Sequence, residues 1–231
     1  MKLIRGAEFE AEKMPLIKDR DRKILKTRFG RSLVNPVRLL VFTQEHECEY
    51  CAEVRMLAEE LASLDERIRA EVYDFRSDAD LAEKLKVDKI PALLLFGERE
   101  YGVRFFGIPS GYEFTTLVED IIDVSRGSSR LPPRVKENVR KLDRPAHIQV
   151  FVTPTCPYCP MAVRASHQMA IENDKITADM IEALEFPHLA NRYQVMAVPK
   201  TVINEELSFE GALPEPVFVE QVLAMVRSAK S

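Results

Sequence analysis

The cysteines of this chain come as two Cys-x-x-Cys pairs set in a repeated frame, and that frame constrains the fold more than any other feature. Cys48-Glu49-Tyr50-Cys51 and Cys156-Pro157-Tyr158-Cys159 hold all four cysteines of a chain of 231 residues. A proline follows each second cysteine at the same interval, Pro91 after Cys51 and Pro199 after Cys159. Cysteines and prolines matched in type and spacing mark an internal duplication. Two copies of about 100 to 125 residues are each large enough for a core.

The duplication extends to the elements around the cysteines. Each pair follows an apolar β-type run, Val37 to Thr43 or His147 to Thr153, and opens a helical pattern, Ala52 to Leu64 or Met161 to Ile171. A strand-like stretch comes next (Glu71 to Phe75; Ile176 to Ile181), then a short helix (Asp80 to Leu85; Pro187 to Tyr193). The prolines head a third apolar run, Pro91 to Phe96 or Pro199 to Ile203. A further β-type segment, Gly102 to Phe106 or Leu207 to Glu210, leads to Gly107 or Gly211 and a closing amphipathic helix. The stretch from proline to glycine is four residues shorter in the second copy, as expected of a hairpin with a trimmed turn. Charged helices, Leu16 to Thr27 and Arg134 to Leu142, open the copies, and the small and helix-breaking residues from Ser125 to Pro133 part them. The expected division is therefore an N-terminal unit over 1–126, a linker over 127–133 and a C-terminal unit over 134–231.

This pattern points to dithiol redox chemistry, carried out twice. At a strand-to-helix junction the first cysteine is expected at the helix N-cap, where unpaired N–H groups and the dipole favour a thiolate. The second cysteine then lies one turn along on the same face, within bonding distance. Cys48 and Cys156 are the expected attacking thiols, and Cys51 and Cys159 the resolving ones. Pro157 suits a first helical position, whereas Pro160 is expected to remove the first intrahelical hydrogen bond. Tyr50 and Tyr158 flank the thiols, as docking surface or as cover for the core. A lone proline opening a strand would read as trans. Two at equal distance from a Cys-x-x-Cys favour cis bonds at Ile90-Pro91 and Val198-Pro199, which cost about 0.5 to 1 kcal/mol relative to trans. The Ile90 or Val198 backbone would then be free to pair with an extended substrate.

On these residues the chain resembles the thermophilic protein disulfide oxidoreductases, glutaredoxin-like proteins built from two thioredoxin-fold units. Cys156-Pro157-Tyr158-Cys159 is the glutaredoxin-type motif, and the Ile90-Pro91 and Val198-Pro199 pairs match the family's cis-proline positions. The resemblance covers essentially the whole chain. It implies an α/β architecture of tandem thioredoxin folds, each a central four-stranded mixed sheet flanked by helices, with the two sheets joined edge to edge. It also implies an enzyme that reduces, oxidises or isomerises protein disulfides with no cofactor beyond its redox-active disulfides. Thioredoxins bury an acid six residues before the first cysteine, where this chain has Phe42 and Val150, so no such proton relay is expected. Glutaredoxins hold glutathione with a Gly-Gly turn and an acid, but here that stretch reads Glu210-Gly211-Ala212-Leu213. A thioredoxin-reductase-like flavoenzyme is the implied electron donor, with a peroxiredoxin as a further partner.

Other readings fit less well. Zinc ribbons place about 15 to 20 residues between Cys-x-x-Cys pairs, and here 104 lie between Cys51 and Cys156. A docking module would be expected to have lost cysteines. An electron relay for a peroxidase, similar to the duplicated module of the alkyl hydroperoxide reductase flavoprotein, would retain one pair. The net charge of −4 is small and the basic residues are dispersed, which argues against nucleic acid. No stretch approaches the ~20 apolar residues of a membrane span, and Met1 to Arg28 lacks the apolar core of a signal peptide. A cytoplasmic protein is the expectation. The 30% of charged residues and the absence of Trp point to a thermophile, where intracellular disulfides are less unusual. His46 precedes Cys48 by two residues, in a loop; His147, His167 and His188 have no metal-site spacing and read as structural.

Overall fold

Val37–Thr43 (β1) is apolar toward both of its faces, and such a strand must be covered on both sides. In the computed structural model, which describes residues 14–228, it pairs in parallel with Ile68–Asp74 (β2) and antiparallel with Ala92–Phe96 (β3). β3 turns back into Glu100–Phe106 (β4). The second copy repeats the plan: Ala146–Val152 (β5) pairs in parallel with Ile176–Glu182 (β6) and antiparallel with Lys200–Ile203 (β7), which turns into Leu207–Glu210 (β8). The two four-stranded mixed sheets are joined by parallel pairing of β4 with β6, giving one eight-stranded sheet in the order β2-β1-β3-β4-β6-β5-β7-β8. The implied tandem thioredoxin-type architecture is present, and the α/β class with it.

Eight helices cover this sheet unequally among the described residues. Asp19–Ser32 (α1), Cys51–Ala62 (α2), Glu113–Arg126 (α4), Pro133–Arg140 (α5), Cys159–Glu172 (α6) and Glu215–Ser228 (α8) share one apolar cluster, which includes Phe29, Leu61, Ile121, Val163 and Phe218. The short helices Ala79–Lys84 (α3) and Pro187–Arg192 (α7) cover the other face over Phe42, Phe106, Phe151 and Phe186. Both clusters run through both copies without a break. Positions 1–13 of the expected N-terminal unit, part of the stretch read for a signal peptide, and positions 229–231 lie outside the described residues.

Two local expectations, the trimmed turn and the extent of the opening helix, are corrected. The four-residue difference between the hairpins lies in the strands and not in the turn, since 97–99 and 204–206 are equally long connections. β4 is longer because it is an interior strand that must reach β6, whereas β8 is an edge. The stretch between the copies is anchored: Ser129 donates from its N–H and its hydroxyl to Glu172 Oε1, each at 2.8 Å, and the Arg130 N–H donates to Gln168. α4 ends at Gly127, whose φ of +63° suits glycine and whose missing Cβ leaves room for the Tyr101 hydroxyl. The opening helix starts at Asp19 and continues to Ser32, beyond the expected Thr27.

The seam between the copies is ionic on both faces. On one, Arg104 of β4 donates to Asp179 of β6 through Nε (2.7 Å) and Nη2 (3.0 Å), and His147 Nε2 lies 2.7 Å from the same carboxylate. On the other, Asp120 and Asp123 of α4 meet Arg164 of α6, and His167 Nδ1 is 2.6 Å from Asp120. His147 and His167 are thus structural, as the sequence suggested, and both belong to charge clusters.

Candidate active site

Both cysteine pairs are disulfides, with Cα–Cα separations of 5.5 Å. β1 and β5 run in the same direction, because β1, β4, β6 and β5 are linked through two antiparallel pairings and two parallel ones. The disulfides that follow β1 and β5 therefore open at the same end of the sheet. α2 and α6 place them over the same face. Four strand spacings separate β1 from β5, or about 19 Å, so one metal ion cannot bind all four sulfurs.

The helices start at the second cysteine of each pair. Cys51 and Cys159 are the first residues of α2 and α6, and Tyr50 and Tyr158 are their N-caps. The first cysteines, expected at the caps, are instead used in the preceding turn, where the Cys156 N–H donates to the Thr153 carbonyl (3.1 Å). That shift also corrects the two prolines. Pro157 lies before the helix, and Pro160 is its second residue, where a backbone N–H would have no intrahelical acceptor. The expected loss of a hydrogen bond at Pro160 does not occur.

Cys156 Sγ accepts the N–H of Cys159 at 3.1 Å, so the helix terminus does point an amide at that sulfur. The same sulfur lies 3.7 Å from the carbonyl oxygen of Val198. The peptide bonds Ile90-Pro91 and Val198-Pro199 are both cis. The Pro91 and Pro199 carbonyls accept the N–H groups of Gly107 (3.0 Å) and Gly211 (2.9 Å), tying each proline to the end of its own hairpin. Tyr50 is half-buried and Tyr158 exposed. Cys51 and Cys159 are buried, and Cys48 is more open than Cys156.

Each copy also supports the other's disulfide end. The Tyr112 N–H reaches the Pro154 carbonyl (3.4 Å), two residues before Cys156. Gly111, with φ of +58°, packs against that same carbonyl, and a Cβ there would collide with it. Glu113, the first residue of α4, is buried, and burial pushes its carboxyl pKa up to about 7. From the second copy Glu185 Oε1 accepts the Ile108 N–H (2.7 Å), and burial raises its pKa to about 7, aided by Glu182, Glu49 and Glu53. The Glu49 carboxylate, followed by Glu185 and Glu182, raises the pKa of the Tyr50 hydroxyl. Phe42 and Val150, at the position where thioredoxins bury an acid, are fully buried apolar residues. Sequence reasoning passed over Glu113 because an acid in a first helical turn has an ordinary explanation in the helix dipole.

The two sulfur environments differ in charge. Cys156 receives an amide donor and has only Pro157 and Tyr158 before Cys159, whereas Cys48 is followed by the carboxylate of Glu49. The Cys156 thiolate is therefore expected to form at lower pH than that of Cys48. Alkylation rate against pH, in Cys51→Ser and Cys159→Ser variants lacking the other pair, measures the order. Cys48 ionising first, or together with Cys156, would refute it.

Comparison with known proteins places this arrangement. The thioredoxin domain family matches residues 146–224. The chain is 27% identical over 213 residues to an NADH dehydrogenase of Bacillus subtilis, covering 92% of this chain and 38% of that protein. It spans about a quarter to two fifths of the length of the curated relatives it matches, between 24% and 38%. The N-terminal N/C domain of the alkylhydroperoxide reductase AhpF from Enterococcus faecalis superposes with a TM-score of 0.82 at 28% identity, covering 89% of this chain and 99% of that one. A protein disulfide oxidoreductase from Aeropyrum pernix K1 superposes at 0.85 with 32% identity, covering 93% of this chain and 96% of its own. With two Cys-x-x-Cys disulfides on tandem thioredoxin-type sheets, and that likeness over nearly the full length of both chains, this chain belongs to the protein disulfide oxidoreductase family.

Proposed function

We propose that the chain acts on protein disulfides, with Cys48 and Cys156 as the attacking thiols and Cys51 and Cys159 as the resolving ones. The observation that carries this is at the second site. Cys156 Sγ accepts an amide N–H at 3.1 Å and faces the Val198 carbonyl, beside Pro199, at 3.7 Å. In the reduced protein the amide favours the thiolate, which attacks a substrate sulfur and expels the other as a thiolate. Cys159, losing its proton, then attacks Cys156 Sγ, restores the protein disulfide and releases the reduced substrate. Two electrons pass from the protein dithiol to the substrate, and the reverse sequence oxidises a dithiol. Ile90, Pro91, Val198 and Pro199 supply the backbone beside which an extended substrate lies, and Tyr50 and Tyr158 border it. Residues 1–126 and 134–231 are the two units in this scheme, with 127–133 between them.

An electron relay for a peroxidase is a second reading, supported by the likeness to the alkylhydroperoxide reductase domain. Both readings use a flavoenzyme of the thioredoxin-reductase type as donor, with a peroxiredoxin as acceptor in the second. No helix among the described residues is long and apolar enough to cross a membrane, and cysteines confined to Cys-x-x-Cys pairs support a reducing cytoplasm.

Trapping tests the assignment. In a chain carrying Cys48→Ser and Cys51→Ser, the further change Cys159→Ser should make a reduced sample accumulate a dithiol-sensitive covalent complex with a disulfide-bonded protein, through Cys156. Substitution of Cys156 instead should leave no complex. A complex held through Cys159 would reverse the roles.

A further inference from the structure

Register between the two copies exposes a systematic exchange of residue type around the disulfides. When the cysteine pairs are aligned without gaps, Glu49 corresponds to Pro157, Glu53 to Met161, Arg76 to Leu184, Asp88 to Met196 and Lys89 to Ala197. These charged positions of the first copy are thus apolar in the second. These apolar side chains are not core: Tyr158 is 64% exposed, Met161 45%, Leu184 72% and Met196 88%. Val198, whose carbonyl faces Cys156, follows Met196 by two residues.

The first disulfide opens instead on a groove of about 840 Å³ lined by Glu45, Arg55, Glu59 and Asp74 together with both cysteines. The one cation lining it, Arg55, is already paired with Glu59 (2.8 Å), and Arg76 is paired with Glu47 (2.8 Å). Asp74 in the groove accepts the backbone N–H groups of Arg76 (3.1 Å) and Ser77 (2.8 Å), but Glu45, also in the groove, and Glu49 and Glu53, one residue after Cys48 and two after Cys51, have no ion-pair partner among the described residues. The reactive disulfide defines this site, and the three unpaired carboxylates of Glu45, Glu49 and Glu53 set the charge of whatever lies against it.

We propose that the two disulfides divide substrates by the residues flanking the substrate cystine. Cys48–Cys51 takes cystines in basic segments, and Cys156–Cys159 takes cystines in apolar segments. This rests on the thiol–disulfide exchange proposed above. A basic segment beside Cys48 gains attraction from uncompensated carboxylates, which also steers encounter, and an acidic one is repelled. An extended apolar segment beside Cys156 covers Tyr158, Met161 and Met196, which solvent otherwise surrounds.

The test uses the full chain with one pair retained: Cys156→Ser/Cys159→Ser keeps the first site, and Cys48→Ser/Cys51→Ser keeps the second. Each protein is reduced beforehand with a small dithiol, freed of it, and mixed with peptides holding one cystine flanked by Lys, Glu, Leu or Ser. Each reduced peptide leaves one oxidised protein pair, so the single-turnover rate reports the site directly. The first-site protein should reduce the Lys-flanked peptide about tenfold faster than the Glu-flanked one at about 0.01 M salt, with the ratio falling toward one at about 1 M. Adding Glu45→Gln, Glu49→Gln and Glu53→Gln should abolish the ratio, with the Ser-flanked peptide as each variant's reference. The second-site protein should show no Lys preference and should reduce the Leu-flanked peptide fastest. Equal Lys and Glu rates at the first site, a Lys preference at both sites, no Leu preference at the second, or a preference surviving the three Gln substitutions would each overturn the division. If neither protein reduces even the Ser-flanked peptide, the exchange activity itself is wrong, and the division fails with it.

Discussion

Replacement of Cys156 and Cys159 by Ser should remove about 70 to 90% of turnover in dithiol-driven reduction of a protein disulfide, and replacement of Cys48 and Cys51 no more than about half. The asymmetry follows from the thiolate available at pH 7. Each unit by which a thiol pKa exceeds ambient pH costs about tenfold in thiolate, and the greater nucleophilicity of the more basic sulfur returns about threefold of it. A net factor of about three per unit remains. Cys156 has the amide of Cys159 at 3.1 Å to favour its thiolate, and Cys48 has Glu49 beside it to oppose one. An uncharged substrate is required, so that the carboxylates around the first site do not decide the result. Equal losses from the two replacements, or a larger loss from the first pair, would show that sulfur ionisation does not set the rate.

Asp179→Ala should destabilise the fold by about 3 to 5 kcal/mol, because it removes one partner from a buried ion pair and leaves the other uncompensated. Asp179 is fully buried, and Arg104, which it holds through two hydrogen bonds, is almost as deep. Arg104 also donates to the Leu85 and Lys86 carbonyls at 3.4 and 3.3 Å, which cannot replace the lost carboxylate. Replacing both partners, as Arg104→Met with Asp179→Leu, should recover most of the loss, since two buried charges are then removed together. Denaturant midpoints of the three proteins measure both effects. A loss below about 1 kcal/mol in Asp179→Ala would place the pair among those that contribute little.

Asp179 also carries a pH signature. Burial alone would raise its pKa, but Arg104 and then His147 outweigh burial and hold it well below the usual carboxylate range. A carboxyl with a depressed native pKa contributes stability that is fully present above its unfolded value and is lost as pH falls toward the native one. The parent protein should therefore lose stability below about pH 4 more steeply than the Arg104→Met/Asp179→Leu protein.

The duplication, the chemistry and most of the elements were legible in the sequence because each rests on local signals. Val37–Thr43 and Leu207–Glu210 lie where their apolar patterns place them, and Gly127 ends α4 inside the stretch read as a boundary. The cysteine and proline spacing identified the residues that the fold then brings together, with Val198 against Cys156. Tertiary structure alone decided that β4 pairs with β6 in parallel, which turns both disulfides to one end of the sheet. Strand edges carry no sequence label for their partners, so that pairing and the longer β4 it requires were out of reach of pattern reading. The same holds for the helix starts, which depend on how the turn around each disulfide closes. It holds most of all for Glu113, Asp179 and Glu185. Their properties arise from burial in the assembled sheet, and for Asp179 and Glu185 from partners in the other copy, Arg104 and Ile108, which only the joined sheet brings near.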